Sequence, residues 1–167
     1  ESYEEFEFEL EWRWPDEPGN CGVLIYCSDP RYMGIWPKSL EVQLLNGNAG
    51  DFFFIGETVQ VYEPRQIPYP DGESEFREWH WRNRKKLQDG LENPPGEWNQ
   101  MRIISARERL LVYVNGELAN DAFLPSATSG GISLQAEGAN IEFRNVKIRP
   151  ATDVPWLSCS PLGPPPP

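Results

Sequence analysis

The segment Phe6–Trp14, FEFELEWRW, alternates without a break. Phe6, Phe8, Leu10, Trp12 and Trp14 fall on one side, and Glu7, Glu9, Glu11 and Arg13 on the other. A period of two means a strand with one face in a core and one outside it. The acidic row reads as a solvated face, or, if the sheet is concave, Glu11 and Arg13 look into a cleft. No helical period appears anywhere in the chain, so everything that follows must be built from strands and turns.

The remaining segments fit that constraint. Cys21–Cys27 reads as a second strand, with Val23 and Ile25 inward and Leu24 and Tyr26 on the opposite face. The turn Pro15–Asn20 makes a hairpin with the first strand the simple expectation. Ser28–Pro37 is a loop carrying Tyr32, Met33 and Trp36, apolar groups that suit a rim. A further strand is expected at Thr58–Tyr62, within an irregular third that ends near Pro95. Asn99–Ser105, Leu110–Val114 and Glu117–Ala122 form three antiparallel strands, the last two joined by the turn dipeptide Asn115-Gly116. Gly131–Glu137 and Ile141–Ile148 read as one more pair. Pro150–Pro167 loses all pattern and ends in four prolines, as a tail or linker does. The expected architecture is one all-β domain over residues 1–150, with a proline-rich tail over 151–167. Its form is a two-sheet antiparallel β-sandwich or jelly roll, because a single open sheet would leave an apolar face wet.

Composition narrows the function. A net charge of −11 argues against nucleic acid, whose phosphates need a basic surface. Arg82, Arg84, Lys85 and Lys86 therefore read as a loop making local ion pairs. No apolar run is long enough to span a membrane. The N-terminus has neither a basic region nor an apolar signal core, so any export signal is expected to have been removed already. Cys21 and Cys27 lie six residues apart on one strand, roughly 20 Å at about 3.3 Å per residue, too far to bond. Only Cys159 could partner either. His80 is the only histidine, which excludes a histidine zinc site; it is either a base or packed between Trp79 and Trp81. Nucleophile elbow, phosphate loop, dinucleotide fingerprint and CxxC pair are all missing.

What remains is a polar strand. In Trp36–Gly56, WPKSLEVQLLNGNAGDFFFIG, Leu40, Val42 and Leu44 point one way and Ser39, Glu41, Gln43 and Leu45 the other. The strand is followed by the tight turn Asn46–Asp51. Glu41 with Gln43, and Gln135 with Glu137 on a second strand, suit a hydroxyl-rich ligand.

WPKSLEVQL and GNAGDFFFIG, followed by PPGEWN, VNGELAN and SLQAEGANIEFRNVKI, closely resemble the 3-keto-disaccharide hydrolase domain family. The resemblance runs from about Tyr3 to Arg149. It implies a concanavalin A-like lectin/glucanase sandwich, activity on glycosides oxidised at C3, and an exported bacterial protein, periplasmic or extracellular. Members of that family usually begin with further residues supplying an early strand. Their asparagine-serine-glycine motif stands here as Asn20-Cys21-Gly22, and Tyr26 replaces a common arginine.

Related glucanases carry Glu-x-Asp-x-x-Glu on one strand, whereas this strand reads Glu41-Val42-Gln43-Leu44-Leu45-Asn46. Two of the three acids are amides, so direct two-acid displacement is not expected. A 3-keto sugar offers another route, in which the ketone acidifies the C2 hydrogen and one base removes it. Glu41 or Glu137 is the candidate base, with Asn20, Lys38, Gln43, Asn46 and Gln135 as positioning donors. Tyr26, Trp36, Asp51 and His80 complete the candidate ligand-contacting set. No cofactor is expected, although the carboxylates are compatible with a divalent cation. The partner is an oligosaccharide or glycoside; the alternative function is a non-catalytic carbohydrate-binding module of the same fold.

Overall fold

A computed structural model describes residues 1–61 and 82–151. His80, Cys159, the end of the strand expected at Thr58–Tyr62 and the tail beyond Ala151 lie outside the described residues. Within them the chain forms eleven strands: β1 (Tyr3–Glu4), β2 (Phe6–Arg13), β3 (Asn20–Cys27), β4 (Ser39–Gln43), β5 (Phe52–Ile55), β6 (Asn83–Arg84), β7 (Asn99–Ala106), β8 (Arg109–Val114), β9 (Glu117–Phe123), β10 (Ser129–Glu137) and β11 (Glu142–Pro150). They make two antiparallel sheets. One has the order β1-β10-β3-β4-β5-β6, the other β11-β2-β7-β8-β9. The all-β sandwich expected from the alternating segments is the observed fold.

The core lies between the sheets. Phe6, Phe8, Leu10 and Trp12 of β2 meet Cys21, Val23 and Ile25 of β3 and Leu40, Val42 and Leu44 of the β4 region. Fully burying a side chain such as Phe6 or Leu10 contributes roughly 1.5–3 kcal/mol. This explains why two expected hairpins do not form. β2 and β3 belong to opposite sheets, as do β10 and β11, and each pair of apolar rows touches across the core rather than side by side. Alternation identifies the buried face of a strand; it does not identify the sheet. The three strands β7, β8 and β9 do pair as expected. Of the strand expected at Thr58–Tyr62, the described part makes only a bridge between Gln60 and Phe123.

Tyr26 is a second correction. The β3–β10 register shifts between Gly131 and Ser133, and Tyr26 takes a φ of 57°. This bulge turns the ring inward, so its hydroxyl meets Ser105 of the other sheet at 2.8 Å and its edge meets Phe6. The backbone of Tyr26 presses so closely on Gly130 that a Cβ there would lie 2.4 Å from the tyrosine carbonyl carbon. Tyr26 is a core residue, and its ring does not lie on the outer face where alternation placed it.

The outer face of the five-stranded sheet is not a plain solvated acidic row. Glu7 is buried and accepts hydrogen bonds from Arg102 and Arg149. Glu11 is paired with Arg144 and Asn145, and Arg13 with Glu142. Arg13 and Arg144 both lie over the Trp98 ring. The acidic strand is thus zipped to basic neighbours on β7 and β11. Burial alone would raise the pKa of Glu7, but the two arginines outweigh it and hold the carboxyl at about 2. A lowered carboxylate contributes stability that is present above its unfolded pKa and lost as pH falls toward the folded value. Glu7→Gln should therefore cost about 2 kcal/mol at pH 7. In denaturant titrations the variant and wild type should converge between about pH 4 and pH 2; a gap that persists unchanged at pH 2 would contradict this account.

Candidate functional site

The other sheet carries the site on its outer face. β4 lies between β3 and β5, with Gln43 opposite Gly22 and Glu41 opposite Leu24. On the far side of β3, Gln135 stands opposite Gly22 and Glu137 opposite Asn20. Leu40, Val42 and Leu44 point into the core, as the alternation predicts, which leaves Ser39, Glu41 and Gln43 on the outer face. The register thus brings Asn20, Glu41, Gln43, Gln135 and Glu137 onto three adjacent strands of one face.

Glu41 is the centre of this group. It is only 4% exposed, and its Oε1 is buried without a hydrogen-bond partner. Its carboxyl lies in a slot above Gly22, where an added Cβ would stand 2.2 Å from Oε1 and 2.7 Å from the carboxyl carbon. Gly22 was legible as an interior strand glycine, a common sign of close approach by another group, yet its partner could not be read from the sequence. Burial pushes the Glu41 pKa up, the charge of Glu137 pushes it further, and a hydrogen bond from Gln43 only partly offsets them; the result is about 8.

The surrounding side chains are fixed in different ways. Gln43 Oε1 accepts from the backbone N–H groups of Leu44 and Leu45 at 3.0 and 2.9 Å. That aims its amide nitrogen away from the turn and leaves it free to serve Glu41. Asn20 Nδ2 and Gln135 Nε2 both donate to Oε2 of the exposed Glu137, at 2.7 and 2.9 Å. Their carbonyl oxygens, Asn20 Oδ1 and Gln135 Oε1, are buried without donors. An unsatisfied buried acceptor costs about 1–3 kcal/mol, and three of them on one face mark a surface shaped for something that donates.

Other expected contacts lie elsewhere. Asp51 is fully buried, accepts from the Lys86 backbone N–H and forms an ion pair with Lys85 Nζ at 3.0 Å, clamping the turn after β4 to residues 85–86. Lys86 in turn donates to Gly47 and pairs with Asp89. Lys85 and Lys86 thus make local ion pairs of the kind expected of the basic run, and Asp51 is occupied by them, while Arg82 donates to the Phe54 carbonyl and Arg84 lies over the Phe54 ring. Lys38 is held by Glu57 at 2.8 Å, at the entrance of β4. Trp36 is half-buried and bridges Met33 across a loop tip where Ile35 is 81% exposed, at the end of β4 away from Gln43. Asn46 is exposed in the turn and its backbone N–H reaches Gly19. Both Cys21 and Cys27 are free thiols; burial raises both, and Cys21 reaches about 12. Among the described residues no group of three or more His, Cys, Asp or Glu is placed to hold a metal ion.

Residues 1–149 match the model of the 3-keto-alpha-glucoside-1,2-lyase-like domain. The chain belongs to that family. The chain shares its sandwich with solved structures. The chain is 26% identical to the "Putative glycosyl hydrolase" of Parabacteroides distasonis ATCC 8503, with a TM-score of 0.60 over 89% of this chain and 79% of that one. A second protein of that description from the same organism is 20% identical, with a TM-score of 0.59 over 90% and 73%. The carbohydrate-binding module CBM66 of Bacillus subtilis is 13% identical, with a TM-score of 0.57 over 89% and 76%, a likeness of fold. No curated protein matches the chain. The lyase-like domain is therefore a carbohydrate-related, hydrolase-like β-sandwich.

A carboxyl with a raised pKa stabilises the fold fully below its unfolded pKa and loses that contribution as pH rises through the folded value. Glu41→Gln should therefore gain on the order of 2 kcal/mol over wild type between pH 5 and pH 9. Thermal unfolding at both pH values measures it, and a pH-independent difference would contradict the raised pKa.

Proposed function

We propose that this domain cleaves 3-keto-glycosides, with Glu41 as the base that removes the hydrogen from C2. The observation that carries the reading is a buried carboxyl, one oxygen of which has no hydrogen-bond partner, set among amides on the outer face of β4. A conventional glycosidase needs two carboxyl groups flanking the bond. Here the second acid, Glu137, is engaged by Asn20 and Gln135.

A 3-keto sugar needs only one base. The Glu41 carboxylate takes the C2 proton, and the electron pair passes into the C3 carbonyl as an enolate. As the enolate collapses, the C1–C2 double bond forms and the bond from C1 to the aglycone oxygen breaks. That oxygen leaves with the proton that Glu41 took from C2, which restores the carboxylate, and water then adds its hydroxyl to C1 and its hydrogen to C2. Burial makes Glu41 a stronger base than an exposed carboxylate while keeping its pKa in the working range. The family match and the sandwich likeness to glycosyl hydrolase relatives support the substrate class.

Release of the aglycone from a 3-keto-glucoside is the direct assay. Because the base must be ionised, kcat/KM should rise about tenfold per pH unit below pH 8 and level off above it. Glu41→Gln should lose at least about 100-fold in kcat. Gly22→Ala, whose backbone is in an ordinary extended region, should lose more than about tenfold by displacing the carboxyl while leaving the fold intact. Binding without turnover in wild type would replace this reading with a carbohydrate-binding module, and an unchanged rate in Glu41→Gln would remove Glu41 as the base.

A further inference from the structure

An ionised carboxylate can only accept hydrogen bonds, whereas a carboxamide has one accepting end and one donating end that differ little in shape. Glu137 Oε2 is contacted by both Asn20 Nδ2 and Gln135 Nε2. Both amides must therefore turn their NH2 groups to it, and both carbonyl oxygens are committed to the other side. Those oxygens are buried and have no donor. Glu41 Oε1, on a side chain that is 4% exposed, is likewise without a partner. The Gln43 amide lowers the Glu41 pKa but leaves Oε1 without a partner. The ammonium of Lys38 is engaged with Glu57.

We propose that Glu137 is a positioning residue that sets both amides so that the face presents acceptors, and that the site consequently selects a neutral, polyhydroxylated ring over an anionic sugar. The two unfilled amide oxygens call for O–H donors, which a hexopyranosyl ring supplies, and the neutral Glu41 carboxyl can both accept from and donate to its hydroxyls. A uronate or sugar phosphate brings acceptors and negative charge against Glu137 and two carbonyl oxygens, so its charged groups are left without a partner. This rests on the glycoside reading above but not on the chemistry of cleavage. It concerns which sugar is held, and it accounts for a carboxylate that cleavage does not use.

The test is equilibrium binding of unoxidised probes, which needs no turnover. Methyl α-glucoside and methyl α-glucuronide are titrated into the full chain by ligand-observed NMR at constant ionic strength. Wild type should bind the glucoside at least tenfold more tightly than the glucuronide. Glu137→Gln brings its own NH2 into competition and frees one amide to flip. It should weaken glucoside binding about tenfold and narrow the gap to the glucuronide, with Tm nearly unchanged. In turnover of a 3-keto-glucoside the same variant should raise KM far more than it lowers kcat. Equal or tighter binding of the glucuronide by wild type overturns the proposal, as does binding of neither probe, or glucoside affinity unmoved in Glu137→Gln. The wild-type comparison stands even if the variant fails to fold. Loss of turnover with selective binding intact counts against the cleavage reading alone.

Discussion

The structure depends on one unfavourable placement: the carboxyl of Glu41 is held out of water above Gly22 with one oxygen unpartnered. An isolated buried charge is costly, and a protein answers by neutralising it, pairing it or keeping it for a ligand. Here neutralisation is the resting answer, because burial and the nearby Glu137 both favour the protonated form. Everything around the site follows from tolerating that group. Residue 22 lacks a side chain, Gln43 is tied by its oxygen to the turn so that its nitrogen can serve Glu41, and Asp51 clamps the same turn from behind.

The two sheets divide the remaining tasks. The five-stranded sheet spends its charged residues on one another, with Glu7, Glu9 and Glu11 set against Arg102, Arg144 and Arg149. The six-stranded sheet leaves polar atoms unspent: Asn20 Oδ1, Gln135 Oε1 and Glu41 Oε1. Paired charge closes a surface, whereas unpaired acceptors held in place by a rigid sheet prepare one for a ligand. The core between them, anchored by Trp12, Tyr26 and Phe52, supplies the rigidity.

Much of this was legible in the chain. Alternation in Phe6–Trp14 and in Leu40–Leu44 identifies the buried face of each strand, and the polar pairs Glu41 with Gln43 and Gln135 with Glu137 mark the outer faces of two strands, which only the register joins into one. Two things were not legible. The partner of a strand depends on long-range packing, so β2 with β3 and β10 with β11 look like hairpins in sequence and are arches between sheets in space. A bulge also reverses the side of one residue: Tyr26 continues an outer-face pattern and yet turns into the core, because its positive φ breaks the alternation. Asp51 misleads for a related reason, since a turn aspartate near a polar strand can bind a ligand or bind the turn. Its choice depends on Lys85 and Lys86, more than thirty residues away in the chain.

The claim at the centre of this account, that one carboxyl on the outer face is held in its neutral form, can be read directly from side-chain carboxyl carbons by NMR. A pH titration of wild type and Glu41→Gln should show one glutamate with an apparent pKa near 8 that is missing from the variant. If every carboxyl in wild type titrates below about pH 5.5, the ordinary carboxylate range, the buried base does not exist.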